Sequence, residues 1–462
     1  MLTRTTLRIV DNIDVVVPDS LNVITTYVLA EQEDWFEDEI KFVRTMLKPS
    51  QRAIDVGANY GLFTLSMAKA VGSQGKIWAF EPASSTAAFL RESLDVNGFS
   101  QVTLDQRALS EKSGSAQLSL NDCSELNYLL PGVAVGGTSE TVELLSLDEA
   151  MVYHEWSGID FVKIDAEGEE AAIIRGGKNF FRTQSPLVQY EVKAGSVLNL
   201  ELIKAFADVG YASYRLVPGL GVLVPLGTDE LVDGFLLNLF CCKPDRAAKL
   251  AEDGRLVFDD NSELEVEIKV DPSYTWQHQL TKCPYVKRLA DVWNPPVDRE
   301  QRIDVENGIA LYCMANDSNL PMTTRFRALK ASFSTFSRVC DKRPVFLRYL
   351  SLARVARDFG ARVVAVNALN ALYHNPTLQK QANLSEPFLA ASERFDVIDP
   401  GDAMADWIVG SVLEEIERNC HFSSFYTMQS AIPRLQAIQN TKFGSPEMTR
   451  RLELIRRRFP AG

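Results

Sequence analysis

Between residues 53 and 244, short apolar runs alternate with stretches whose apolar positions recur every three or four residues. The runs at 53–56, 77–80, 102–105, 161–164, 187–191, 212–217 and 236–241 have strand length and favour β-branched and aromatic residues. The stretches 61–70, 85–97, 169–175 and 196–209 carry helical spacing, with Asn97-Gly98 and Gly176-Gly177 as stops. Alternation of this kind predicts an α/β fold with a doubly wound, Rossmann-like sheet. The turn-forming segment 217–222 (VPGLGV) predicts a hairpin, so the sheet should end in an antiparallel strand. Upstream, residues 1–50 read as short strands at 7–10 and 15–17 and an amphipathic helix over 35–47 stopped by Pro49, a segment expected to pack on the sheet. Downstream the pattern changes. Residues 245–300 mix charges, prolines and aromatics and read as a connector. Residues 301–462 are mainly helical by periodicity, as in Phe326, Leu329 and Phe333, then Leu347, Leu350 and Val355, without a clean repeat.

A chain of 462 residues exceeds what one core usually organises, which agrees with an α/β domain over 51–244 and a separate helical domain. The net charge of −13 opposes nucleic-acid binding, which needs a concentrated basic surface. Seven scattered cysteines without a C-x-x-C pair, two of them adjacent in an apolar strand at Cys241-Cys242, read as free thiols of a reducing, cytoplasmic compartment. No apolar run is long enough to span a bilayer, and the N-terminus lacks the apolar core of a signal peptide. The four histidines are far apart, so zinc spacing is absent.

The chemistry concentrates where two strands end. The first runs into Asp55-Val56-Gly57-Ala58-Asn59-Tyr60-Gly61, and the second closes on Glu81-Pro82. A dinucleotide turn needs G-x-G-x-x-G so that backbone can approach a pyrophosphate. Here the spacing is D-x-G-x-x-x-G, with a carboxylate where a phosphate would otherwise lie. That arrangement suits a nucleoside bearing an ammonium group and no phosphate, as S-adenosylmethionine does. Gly57 and Gly61 would admit it against bare backbone, Asp55 and Asn59 would meet its amino-acid end, and Glu81 would accept from the ribose hydroxyls. Each has a plainer reading as well: Asp55 as a cap on the turn, Asn59 as a left-handed turn residue, Phe63 as core.

Further along, the run 163–170 (KIDAEGEE) places Asp165 and Glu167 just past a strand, and Glu191 ends the next one. Carboxylates at neighbouring strand tips serve either as a general base for an acceptor hydroxyl or as ligands of a divalent cation such as Mg²⁺, with Asp165 and Glu191 the metal candidates. Lys163 would pair with an acid in the crevice or stand at an edge. Glu169 and Glu170 suit a helix N-terminus. His154 is a reserve base at most.

These blocks, AIDVGANYGLFT from Ala53, WAFEP from Trp78, RALSEKSG from Arg107, LSLDEA from Leu145, DFVKIDAEGEEAAIIRGG from Asp160 and PLVQYEV from Pro186, resemble in order and separation the FkbM family of class I S-adenosylmethionine-dependent methyltransferases. The resemblance covers roughly residues 25–244 and takes in Tyr27 and the 35–39 segment. It implies the class I methyltransferase fold and methyl transfer, usually to a hydroxyl of a sugar, glycan or natural product. It further implies that Asp55, Gly57, Ala58, Asn59, Gly61, Glu81 and Pro82 hold the cofactor, with Arg107 and Ala108 on the adenine side, and that Asp165, Glu167 and Glu191 face the acceptor. Nothing transfers to residues 245–462, which would cover the pocket, mediate self-association or dock a partner protein. Two other functions compete: a nicotinamide-dependent oxidoreductase, opposed by the glycine spacing, and a non-catalytic scaffold of the same fold working through its helices.

Overall fold

The structure is a computed structural model that describes residues 3–121, 127–130, 138–194, 197–227, 233–258, 268, 270–294, 299–380 and 384–460. The chain divides into two compact units, Met1–Leu216 with Leu223–Leu256, and Val217–Val222 with Val257–Gly462. The first unit runs on to Leu256. The helix Pro244–Glu252 occupies the start of the stretch expected as a connector and buries Ala247 and Leu250 in the core of the first unit.

An eight-stranded sheet organises the first unit. Its strands are β1 (Arg52–Val56), β2 (Lys76–Phe80), β3 (Val102–Asp105), β4 (Phe161–Ile164), β5 (Leu187–Glu191), β6 (Ala212–Val217), β7 (Val222–Pro225) and β8 (Asn238–Cys242). Their order is β7-β6-β8-β5-β4-β1-β2-β3. Strands β3, β2, β1, β4 and β5 are parallel, and β8 runs antiparallel between β5 and β6. The expected doubly wound sheet with an antiparallel end is thus present. Chain order reverses between β1 and β4, and such a switch point opens a crevice beyond the strand tips.

Alternation along the central strands sends side chains to two separate cores. Ala53, Phe161, Leu187 and Phe240 enter one, and Ile54, Val162, Val188 and Leu239 the other. The first core is shared with the N-terminal segment. There the hairpin Arg4–Ile9/Ile13–Pro18 and the helices Ile24–Gln32 and Asp38–Met46 bury Ile13, Val15, Val17 and Val43. Phe42 meets Phe240 edge to face at 5.2 Å.

Some elements were not legible from periodicity. A four-stranded side sheet is built from Ala108–Ser110, Gly114–Ser119, Leu129–Leu130 and Ser139–Ser146. The helix Leu147–Tyr153 follows it, started by a Ser146/Glu149 capping box. The helix expected over 196–209 is Glu201–Asp208, because Lys193–Ala194 pairs with Val197–Leu198 first; residue 196 lies outside the described residues.

The second unit is helical, with long helices at Arg299–Ala315, Met322–Lys342, Phe346–Phe359, Arg362–His374, Met404–Asn419, Ile432–Thr441 and Pro446–Arg458. Helical structure begins earlier than expected, at Trp276–Gln279 and Pro284–Trp293. Trp276, Trp293, Tyr285 and Trp407 are fully buried and pack ring on ring. Buried charge is paired. Arg354 grips Asp396 through two bonds of 2.8 and 2.7 Å and donates to Tyr312 Oη, which donates to Asp358. No helix among the described residues is long and apolar enough to cross a membrane.

Candidate functional site

The β1 tip turns through three residues of left-handed conformation, Gly57 at φ +76°, Asn59 at +49° and Gly61 at +90°. At Gly57 the reason is packing against another strand tip. A Cβ there would lie 1.7 Å from the carbonyl oxygen of Asp165. At Gly61 a Cβ would lie 2.3 Å from Leu90 Cδ1. Gly57 is therefore required by a backbone contact of the protein itself, whatever a ligand adds, whereas at Gly61 the Leu90 methyl can turn aside and the left-handed φ is what favours glycine. The Gly57 and Ala58 N–H groups donate to Phe80 O at 3.1 and 2.9 Å, which ties the turn to β2.

Glu81 completes the turn. Its two carboxylate oxygens accept from Asn59 N at 2.8 Å and Ala83 N at 2.9 Å. Burial pushes its pKa up to about 7 against the pull of those two donors. Asp55 is fully buried. Its Oδ2 accepts from Thr64 Oγ1 at 2.5 Å, while its Oδ1 has no hydrogen-bond partner. Burial pushes Asp55 upward, opposed chiefly by the charge of Lys163.

Parallel register builds the acidic side. Asp55, Lys163 and Gln189 are register partners across β1, β4 and β5, so they share one face of the sheet. Two residues on, Asp165 and Glu191 stand at the tips, and Glu191 is paired with Asn238 of β8. The chain then reverses at Glu167, φ +48°, where Ala166 N and Gly168 N donate to Glu170 Oε1 at the start of the helix Glu170–Gly176. This turn brings carboxylate oxygens of Asp165, Glu167 and Glu191 within 4.8 Å of one another. Burial, then repulsion from Asp165, Glu167 and Glu170, pushes Glu191 up to about 10.

Lys163 is the buried cation of this arrangement. Its Nζ donates to Asp165 Oδ2 at 2.7 Å and lies 5.0 Å from the centre of the Phe63 ring. Burial works against its charge, but Asp165, Asp55 and Glu37 outweigh it and raise the pKa above the ordinary lysine value. Glu37 precedes the helix Asp38–Met46, and its oxygens accept from Trp35 Nε1 at 2.9 Å and Asn238 Nδ2 at 3.0 Å.

One cleft collects these groups. Asp55, Gly57, Ala58, Asn59, Gly61, Glu81, Pro82 and Ala108 line it together with Lys163, Asp165, Glu167 and Glu37. Three sequence candidates need separate placement. Glu191 lies beside the cleft through Asp165 and is not among its lining residues. Arg107 is bonded to Asp105 and stacked 4.3 Å over the Tyr153 ring, in a neighbouring cleft. His154 lies in that same neighbouring cleft, 3.1 Å from Asp105 and stacked on Trp156. The lining residues that sequence reasoning missed include Thr25, Glu37, Leu118 and Tyr128. The acidic-aromatic stretch at 35–39 was visible in the sequence, but only the fold brings it to the strand tips.

Residues 55–213 match the family model described as Methyltransferase FkbM domain. No curated protein matches the chain. Among solved structures, the chain is similar to Methyltransferase FkbM from Methylobacillus flagellatus KT at 16% identity and TM-score 0.29, covering 41% of this chain and 43% of that one. It is also similar to a SAM-dependent O-methyltransferase from Thermotoga maritima, at 17% identity and TM-score 0.28, covering 52% and 77%. A SAM dependent methyltransferase from Aquifex aeolicus gives 13% identity and TM-score 0.27, covering 46% and 90%. The chain thus spans less than half the length of the Methylobacillus protein. The stretch that matches the FkbM domain model, 55–213, is the one that carries the glycine turn, the acid at the β2 tip and the strands that bring them together.

Proposed function

We propose that the first unit binds S-adenosylmethionine in this cleft and transfers its methyl group to a hydroxyl of a sugar, glycan or natural product. The observation that carries the reading is the fully buried Asp55, whose Oδ1 lacks a partner in a cleft that also holds Asp165. An unpaired buried carboxylate oxygen is costly, and a cationic ligand group relieves that cost. The residues therefore fit the cofactor. Asp55 would meet its ammonium group, Gly57, Ala58, Asn59 and Gly61 would offer backbone, Glu81 would reach the ribose with the lone pairs its two backbone bonds leave, and Pro82 and Ala108 would flank the base.

When bound, the cofactor supplies an electrophilic methyl group on a sulfonium. The chain's own part is to align the acceptor and take its proton. Asp165, oriented by the Lys163 ammonium, is the base. Glu191, pushed up to about 10 by burial and its acidic neighbours, stands beside the cleft next to Asp165 and holds a proton close to the base. Alignment contributes most, with effective molarities of roughly 10⁵–10⁸ M for well-oriented pairs. A base adds about 10²–10⁴-fold.

A second reading of the same acids is a divalent-cation site, favoured by the 4.8 Å convergence of Asp165, Glu167 and Glu191. Loss of activity on chelation, restored by Mg²⁺, would establish it. The main test is calorimetric titration with S-adenosylmethionine and with NAD, then transfer of labelled methyl to glycan and small-molecule extracts. Binding without transfer to any extract favours the scaffold reading, and binding of NAD alone the oxidoreductase. A cytoplasmic location belongs to the same proposal, supported by thiols that stay unpaired even at the adjacent, buried Cys241 and Cys242.

A further inference from the structure

The matched domain begins at Asp55, yet the cleft is lined in part by residues that precede it. Glu37 is the one that carries charge into the reacting end. Its carboxylate is fixed at both oxygens by neutral donors, the indole N–H of Trp35 and the amide of Asn238, neither of which cancels its charge. The charged groups facing it are Lys163 and Asp165. Lys163 is already bonded to Asp165 and also faces Asp55. One ammonium therefore serves three carboxylates that line the same cleft. The buried Asp55 Oδ1, which has no hydrogen-bond partner, shows that Lys163 does not satisfy all three. Asp55 lies on the glycine-turn side, where the cofactor's amino-acid end is assigned. Glu37 faces Lys163 and Asp165, and since Asp165 is the base of the reading above, Glu37 is assigned to the end where the methyl group meets the acceptor.

We propose that Glu37, contributed from outside the matched domain, is a counter-charge for the cofactor's sulfonium and makes the cleft prefer the charged methyl donor over its neutral thioether product. This rests on the methyl-transfer reading above and extends it to a residue which that reading leaves without a role. The preference gives a direction to turnover: when the methyl group leaves, the positive charge opposite Glu37 leaves with it, and the product is held less tightly.

The test compares S-adenosylmethionine with S-adenosylhomocysteine by calorimetry on the full chain. It is run at pH 8, because burial raises the Glu37 pKa above the usual carboxylate value. Glu37→Gln keeps the size and the acceptor for Trp35, and the Asn238 amide can turn round to meet the new NH₂ group. Its affinity for S-adenosylmethionine should fall about five- to tenfold, the scale of one charge pair about 6–8 Å apart at an effective dielectric of about 40. Its affinity for S-adenosylhomocysteine should change by less than about twofold, since the thioether sulfur that replaces the sulfonium carries no charge. Trp35→Phe, which frees the carboxylate without removing it, should shift the ratio in the same direction by less, and it keeps the test open if Glu37→Gln does not fold. Equal losses for both ligands, or none for either, would overturn the assignment. A wild-type chain that binds neither ligand would instead remove the methyl-transfer reading, and this inference with it.

Discussion

Replacing Gly57 by Ala separates two explanations for the glycine turn. If bare backbone is needed only to admit a ligand, the apo-protein should tolerate a methyl group there. The structure says otherwise, because that methyl would lie 1.7 Å from the Asp165 carbonyl oxygen, with the backbone at φ +76°. The left-handed conformation costs a non-glycine residue about 1–2 kcal/mol. Forcing the β1 and β4 tips apart adds about 1–3 kcal/mol, the range for overpacking. The sum is about 2–5 kcal/mol, or roughly 4–20 °C in melting temperature for a unit of this size. Gly98→Ala is the control. Its φ is +66°, but nothing lies within 4 Å of the added atom, so only the conformational part of about 1–2 kcal/mol applies. Differential scanning calorimetry of both variants reads the difference directly. If Gly57→Ala melts no lower than Gly98→Ala, the strand-tip contact is not what demands the glycine.

Further expectations concern single side chains. Asp165→Asn should keep its affinity for S-adenosylmethionine by calorimetry while labelled methyl transfer falls by about 10²–10⁴-fold; unchanged transfer would remove Asp165 as the base. Glu81 has a folded pKa raised from 4.5 to about 7, so its contribution is fully present below pH 4.5 and is lost as pH rises to about 7. Urea denaturation should show wild-type stability falling by up to about 3 kcal/mol over that window from this group, and Glu81→Gln should flatten the slope. In the second unit, Arg354→Ala leaves Asp396 and Tyr312 without their buried partner, and should cost about 3–5 kcal/mol in chemical denaturation; a loss below about 1 kcal/mol would mean that water replaces the guanidinium.

The parallel sheet was readable because its strands are near-continuous apolar runs ended by acids and glycines. That pattern alone places Asp55, Glu81, Asp165 and Glu191 at strand tips. The antiparallel end was readable from the 217–222 turn. The side sheet was not, since its strands are short and half polar, as in Gly114–Ser119, and owe their pairing to neighbours distant in sequence. Glu37 escaped for a related reason: its role comes from a hydrogen bond to Asn238, 201 residues away, which local spacing cannot encode. The two glycines taught a different lesson. They were read as room for a ligand, and they turn out to accommodate Asp165 and Leu90 as well.

The shared register of β1, β4 and β5 constrains how this chain can change over time. Asp55, Lys163 and Gln189 lie side by side only while each strand keeps its length, because one inserted residue would turn every side chain of that strand to the opposite core. Insertions are tolerated only where the strands have already stopped, in the segments after Asp165 and Glu191. Lengthening those segments would reshape the mouth of the cleft, while the row of Asp55, Lys163 and Gln189 beneath it stayed unaltered.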